Sequence, residues 1–430
     1  MPDLSPQIFP RLFAPRLSSL PWADDHLPPH YDGLGLVNIP ATVCQWLGVP
    51  PIGTHPPLES PLTDPIGGPG EVQRVVLVLV DGLRWDLLHQ ALEQGLLPGW
   101  QRLVERGVLS PLTSIAPSTT DAALTTLWTG ATAAEHGITG YEVWLKNYGL
   151  VANLLFHQPS SYRSGMDSLQ KAGFEPEKFL PVPTLGEHLH RYGVEAHAFQ
   201  HFTIVRSGLS RMLFRETEVH AFGSLAQAWF DVRAALRNGK GRQFVWLYWG
   251  AVDGLEHHYG PHDPRVLAEV QAFGWALERF FLDALTPAER RATALLITAD
   301  HGHIHTTDDP RYHVRQHPRL QDMLHILPTG ENRLMFLYAR PGQDDALRAY
   351  FRRAWPEEFV LLPAPQAVEA GLLGSGQIHP DLANRVGDWV ALARGHAYLW
   401  WADKENHLIG RHGGLSRQEM LIPFLAARLG

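Results

Sequence analysis

Six consecutive aliphatic residues, Val75 to Val80, run without polar alternation into Asp81-Gly82. A strand with one face in water alternates, whereas a strand that is apolar throughout must be covered on both faces, as in a parallel sheet sandwiched between helices. The pattern recurs in QFVWLYWGAVDG, which ends at Asp253, and in ATALLITADHG, which holds Asp300. VLSPLTSIAP and GVEAHAFQH supply further strand-like segments. Between them lie stretches with apolar residues at helical spacing, such as RWDLLHQALEQGLLPGWQRLVERG and DPRVLAEVQAFGWALERFFLDAL. This alternation predicts an α/β fold with a doubly wound, mostly parallel sheet and helices on both faces.

Four regions follow. Residues 1–70 form a Pro/Gly-rich N-terminal arm with a short helix near Ala41 to Leu47, and residues 71–304 the catalytic α/β core. Residues 305–395, rich in His, Pro and Arg with a weak strand signal at RLMFLYA, read as an inserted cap, and 396–430 as the C-terminal return to the core. The longest aliphatic run is too short to span a bilayer, and the N-terminus carries Pro every few residues in place of an apolar leader. Cys44, the sole cysteine, stands among apolar neighbours and reads as a buried structural thiol. A formal net charge of −8 with no run of Lys or Arg disfavours extended nucleic acid as a partner. The expectation is a cytoplasmic protein without a membrane partner, of unspecified oligomeric state.

In open α/β sheets ligands bind beyond the carboxyl ends of the strands, so Asp81, Asp253 and Asp300 should converge on one crevice, where their charge calls for cations. Asp253 and His257 are four residues apart in DGLEHHYGP, on one face of a helical turn or tight loop. With Asp300-His301 in TADHGH, that makes two acid–histidine pairs at strand ends, which suit two zinc ions. Ser118, Thr119 and Thr120 precede a helix, and at least one should act as its N-cap. A hydroxyl there also faces the positive end of the helix and can serve as a nucleophile. His412 stands in a His-Gly-Gly turn before the last strand. His303, His305, His313 and His317 are expected to be solvated cap residues, and Trp128 and Trp249 to be packing.

These segments resemble the nucleotide pyrophosphatase/phosphodiesterase branch of the alkaline phosphatase superfamily. VDG at 80–82, APSTT at 116–120, TG at 129–130, HGI at 136–138, D-x-x-x-H with GP at 260–261, ADHG at 299–302 and HG at 412–413 occur in the family's order over residues 72 to 426. The resemblance implies an alkaline-phosphatase-like fold in which Asp81, Thr120, Asp300 and His301 bind one divalent metal and Asp253, His257 and His412 a second. It further implies a phosphodiesterase or pyrophosphatase whose nucleophile, Thr120, forms a phosphothreonine intermediate. The substrate would be small and phosphorylated, with nucleotides among the candidates. Three aspartates and a threonine alkoxide also balance the charge of two divalent zinc ions.

The sequence departs from the family's pattern. Asp121 stands where nucleotide-cleaving relatives often carry an aromatic, Tyr141 where they carry a phosphate-binding Asn, Ala123 in place of another Asn, and Glu256 in place of Gly. Asp121 and Tyr141 are the candidate substrate-binding residues. A phosphomonoesterase or phosphonate hydrolase on the same scaffold is the alternative, and an inactive binding module a third. Sulfatases are disfavoured because Cys-x-Pro-x-Arg is missing, and manganese phosphomutases because they use Ser at the nucleophile position.

Overall fold

The computed structural model describes residues 3–160 and 164–430. In chain order its strands are β1 (Arg74–Val80), β2 (Gly107–Thr113), β3 (Glu142–Leu145), β4 (Leu150–Asn153), β5 (Gln158–Pro159), β6 (Val194–His201), β7 (Glu218–Phe222) and β8 (Arg242–Trp249). They continue with β9 (Thr293–Thr298), β10 (Ile304–His305), β11 (Thr329–Gly330), β12 (Leu334–Leu337), β13 (Phe359–Pro363), β14 (Trp389–Ala393), β15 (Gly410–Arg411) and β16 (Leu421–Arg428). The main sheet has the order β2-β16-β9-β1-β8-β6-β7. All neighbours run parallel except β16, which lies antiparallel between β2 and β9.

The aliphatic run explains the centre of this sheet. Val75 to Val80 are all buried, and helices cover them on both faces, so neither side of β1 needs a polar residue. Registers of Val80 with Trp249 and of Leu79 with Thr298 bring the carboxyl ends of β1, β8 and β9 level. Trp128, fully buried, packs edge-on against Phe214, Phe244 and Trp246, and Trp249 lies near-parallel to Phe222.

A second, antiparallel sheet has the order β13-β14-β12-β11-β3-β4-β5. It draws strands from Glu142–Pro159 as well as from 329–393, so the layer facing the main sheet is assembled from two separate stretches of chain. The N-terminal residues wrap and pack: Leu34, Leu36, Ile39, Val43 and Trp46 join the same core as β1, and a helix spans Ile39–Trp46. Isolated bridges tie Asp3 to Leu109 and Gly35 to Thr113, which cover the outer edge of β2. Cys44 is buried there, its thiol pushed up to about 12 by desolvation. Among the described residues no helix is long and apolar enough to cross a membrane.

Candidate metal centre

Local chain geometry delivers each candidate ligand. Asp81 directly follows β1. Its neighbour Gly82 has φ +75° and passes so close to Asp253 that a Cβ would lie 3.0 Å from the Asp253 Cα, a position that glycine alone fits without displacement. β8 leads into the helix Ala251–Tyr259, with Asp253 in its first turn and His257 one turn later on the same face. Asp300 and His301 follow β9. His412 reaches them because β15 pairs with β10, placing Ile304 opposite Arg411.

Two groups of ligand atoms result. His301 Nε2 lies 3.5 Å from Asp81 Oδ1, 3.5 Å from Asp300 Oδ2 and 3.2 Å from Thr120 Oγ1. Ligand atoms about 2.0–2.1 Å from a tetrahedral zinc stand roughly 3.3 Å apart, so this spacing suits one ion. Asp253 Oδ1 lies 3.3 Å from His257 Nε2, 3.8 Å from His412 Nε2 and 2.7 Å from His303 Nε2. The rings of His301 and His412 stack at 3.7 Å and so join the two groups. All seven residues expected to hold metal therefore meet in one crevice.

The donor set fits divalent cations. Asp81 Oδ1 and Asp300 Oδ2 are buried without a hydrogen-bond partner among the described residues, while their other oxygens are engaged by the Tyr248 hydroxyl and the Gly82 N–H. His257, His301 and His412 each turn Nδ1 toward a backbone carbonyl, of Gly410, Gly302 and Ser118 respectively. That contact fixes the tautomer that leaves Nε2 free for a metal. Burial, with Asp300 and Asp253 adding repulsion, holds the Asp81 carboxyl well above the usual carboxylate range, and burial pushes Asp300 up to about 7. Desolvation takes His301 down to about 3 and His412 well below its ordinary value, so both are neutral.

Two expectations need correction. None of Ser118, Thr119 and Thr120 caps the helix Thr120–Thr129 with its side chain. The Ser118 hydroxyl donates to Gly414 O, the Thr119 hydroxyl donates to Glu331 Oε1 at 2.7 Å, and Thr120 faces His301. These tertiary partners take the hydroxyls from the helix end. His303 is not solvated but fully buried against Asp253. Its signal was its place two residues beyond His301 in an extended segment, where alternate side chains share a side. His313 and His317 do lie elsewhere, bonded to Asp308 and Tyr350. Tyr248 and Glu331 also went unnoticed, and nothing in the sequence marks Tyr248 as the donor to Asp81; Glu256, noted only as a departure from the family's Gly, is a buried acid 3.5 Å from Arg84 Nε.

The crevice opens into a cavity of about 720 Å³ between the two sheets. Thr120, Asp253, His257 and His412 line its floor. Asn153 of the second sheet, Tyr141 and Glu331 at the ends of its strands β3 and β11, and Trp400, Trp401 and Lys404 line the other walls. Burial raises the Tyr141 phenol above its ordinary value and pushes Asp121 up to about 7 and Glu331, which also faces Asp121, up to about 8. Asp121 and Tyr141, the two candidate substrate-binding residues, thus both border the space beside Thr120.

The model of the type I phosphodiesterase / nucleotide pyrophosphatase family matches residues 75–415. Murine ectonucleotide pyrophosphatase/phosphodiesterase 5 is a similar solved structure, with 18% identity, coverage of 82% of this chain and 87% of that chain, and a TM-score of 0.60. An inactive form of it in complex with AMP is similar to the same extent, with a TM-score of 0.61. Phosphonoacetate hydrolase from Sinorhizobium meliloti in complex with phosphonoformate shares 19% identity over 83% of this chain and 90% of that one, with a TM-score of 0.61. No curated relative matches the chain by sequence.

Proposed function

The chain belongs to the type I phosphodiesterase / nucleotide pyrophosphatase family, and on that premise we propose that it is a two-metal hydrolase of a phosphodiester or phosphoanhydride, with Thr120 as nucleophile. One observation carries the reading: the Thr120 hydroxyl opens a ten-residue helix at the floor of the cavity, 3.2 Å from His301 Nε2, beside the three aspartates Asp81, Asp253 and Asp300 and the two further histidines His257 and His412. Asp81, Thr120, Asp300 and His301 would hold one zinc ion and Asp253, His257 and His412 another, which supply Lewis acidity and a lowered pKa at oxygen nucleophiles.

The chain's own groups do the rest. The N-terminus of the helix Thr120–Thr129 directs its first N–H groups and its dipole at an anion, so a phosphoryl group settles against Thr120. Thr120 Oγ attacks phosphorus in line, the P–O bond to the leaving group breaks, and a phosphothreonine forms. Water then cleaves the Thr120–phosphorus ester, and two inversions give net retention. Tyr141, whose hydroxyl is protonated at neutral pH, donates a hydrogen bond where relatives use an amide.

A second reading, a phosphonate hydrolase or phosphomonoesterase, is favoured by Asp121 and Tyr141, which replace two groups that suit nucleotides. Rates on an aryl phosphodiester, an aryl phosphomonoester and a dinucleoside polyphosphate, with and without zinc, separate the two. No Arg lies between Ala116 and Gly130 to meet a dianion, so the diester or polyphosphate is expected to turn over faster. A monoester preferred by about a hundredfold in kcat/KM selects the second reading. No turnover of any of them, nor of a phosphonate, by zinc-loaded protein overturns both.

A further inference from the structure

We infer that His197, Glu218 and His220 form an additional divalent-cation site, of the zinc type, at the edge of the main sheet opposite to β2. β6 and β7 pair in parallel with His197 opposite Glu218 and Phe199 opposite His220. Alternate residues of a strand share a face, so the three side chains stand together on one side of the sheet. His197 Nδ1 lies 3.1 Å from His220 Nε2 and 3.5 Å from Glu218 Oε2, and His220 Nε2 lies 3.7 Å from Glu218 Oε1.

These separations bracket the roughly 3.3 Å between ligand atoms of a tetrahedral zinc, and two histidines with one carboxylate are a common zinc donor set. The site is built rather than fortuitous in two respects. Both rings are fixed, His197 by burial to 9% exposure and His220 by stacking on Phe199 at 4.4 Å and 11°. The far nitrogen of His197, Nε2, is buried without a hydrogen-bond partner among the described residues, with the Glu195 carboxylate 4.0 Å away.

Hydrogen bonding alone accounts for less. One N–H shared between the two rings satisfies the 3.1 Å contact, but it leaves the Glu218 oxygens at 3.5 and 3.7 Å, beyond a good hydrogen bond to either nitrogen. Burial lowers the pKa of His197 and so keeps it in the neutral form that a cation requires. Three protein ligands leave a fourth position to water, and the cation would clip β7, the last strand of the sheet, to β6.

The test uses the full chain, stripped with a chelator and returned to about 10 µM free zinc. Zinc per chain is measured for the wild type, His220→Gln and the double variant His197→Gln/His220→Gln. The wild type is expected to hold one zinc more than either variant, with an unchanged rate on the aryl diester and a larger rise in melting temperature on adding zinc. Equal zinc content in wild type and His220→Gln, with both proteins folded by circular dichroism, overturns the site. Because the comparison is a difference, a catalytic centre that holds fewer than two ions lowers all three totals alike and leaves the difference of one intact.

Discussion

Thr120 turns its hydroxyl to the crevice while Thr119 donates to Glu331, so the two adjacent residues form a matched pair for substitution. Thr120→Ala is expected to lower turnover at least about a thousandfold with little change in melting temperature, because the side chain makes no helix-cap bond that folding would miss. Thr120→Ser, which keeps a hydroxyl, retains measurable activity. Thr119→Ala costs about 1 kcal/mol through the lost bond to Glu331 and leaves most of the turnover. Steady-state rates and thermal melts of all three check this; equal loss in Thr119→Ala and Thr120→Ala would assign the effect to the helix start. Glu331 itself carries a pH signature. Its folded pKa of about 8 is raised above that of an unfolded glutamate, so the folded state holds the extra proton and stability declines as pH rises from about 4.5 through 8. Glu331→Gln keeps an amide oxygen to accept from Thr119 and the Tyr141 N–H but cannot ionise. Urea melts from pH 5 to 9 should therefore show the variant gaining on the wild type by an amount on the order of a few kcal/mol; a constant difference would refute the assignment.

At the scale of elements, the buried pair Arg333–Glu419 fastens the second sheet to the C-terminal return. Arg333 on the loop into β12 reaches Glu419 Oε1 at 2.7 Å and Oε2 at 3.0 Å, and both side chains are fully buried. Glu419 also accepts from the N–H groups of Gly414 and Ser416, holding the turn that follows His412. Arg333→Met leaves a carboxylate buried without its cation and should cost about 3–5 kcal/mol, and adding Glu419→Gln should recover part of that; equilibrium denaturation of the single and double variants checks it. This element also marks where sequence reading stops. The centre of the main sheet was legible because unbroken apolar runs force two-sided burial, and the convergence of Asp81, Asp253 and Asp300 because each closely follows such a run, while Thr120 and His412 joined the candidate set through the family resemblance. The second sheet was only partly legible: β3, β4, β5 and β11 are two to four residues long, too short for a period, and their pairing is set by contacts distant in sequence. Arg333, like Tyr248, carries no local pattern either; its role comes from partners that only the folded chain supplies.

For the whole molecule, the crevice lies beyond the carboxyl ends of the main sheet, where Asp81 and Asp300 follow β1 and β9, Asp253 stands in the helix after β8, and His412 enters just past the two-stranded pair β10–β15. Without cations, burial and mutual repulsion leave Asp81 and Asp300 protonated at mildly acidic pH, Asp300 up to about 7 and Asp81 well above its ordinary value. His301 and His412 are already neutral there, so they have no proton to give up. Cation binding must then expel carboxyl protons. The sign follows: apparent zinc affinity of the stripped protein should rise with pH through the range below about 7, by as much as about tenfold per pH unit for each proton released. Calorimetric titrations at pH 6 in two buffers of different ionisation enthalpy should show at least about one proton released per chain, and the same experiment at pH 8 fewer. Zinc at about a thousandfold over its dissociation constant adds about 4 kcal/mol of stability, so chelation should lower the melting temperature as well as abolish turnover. Uptake of protons on zinc binding at pH 6, or an affinity independent of pH between 5 and 7, would mean that the aspartates are ionised before the metal arrives and that the crevice is wetter than its burial implies.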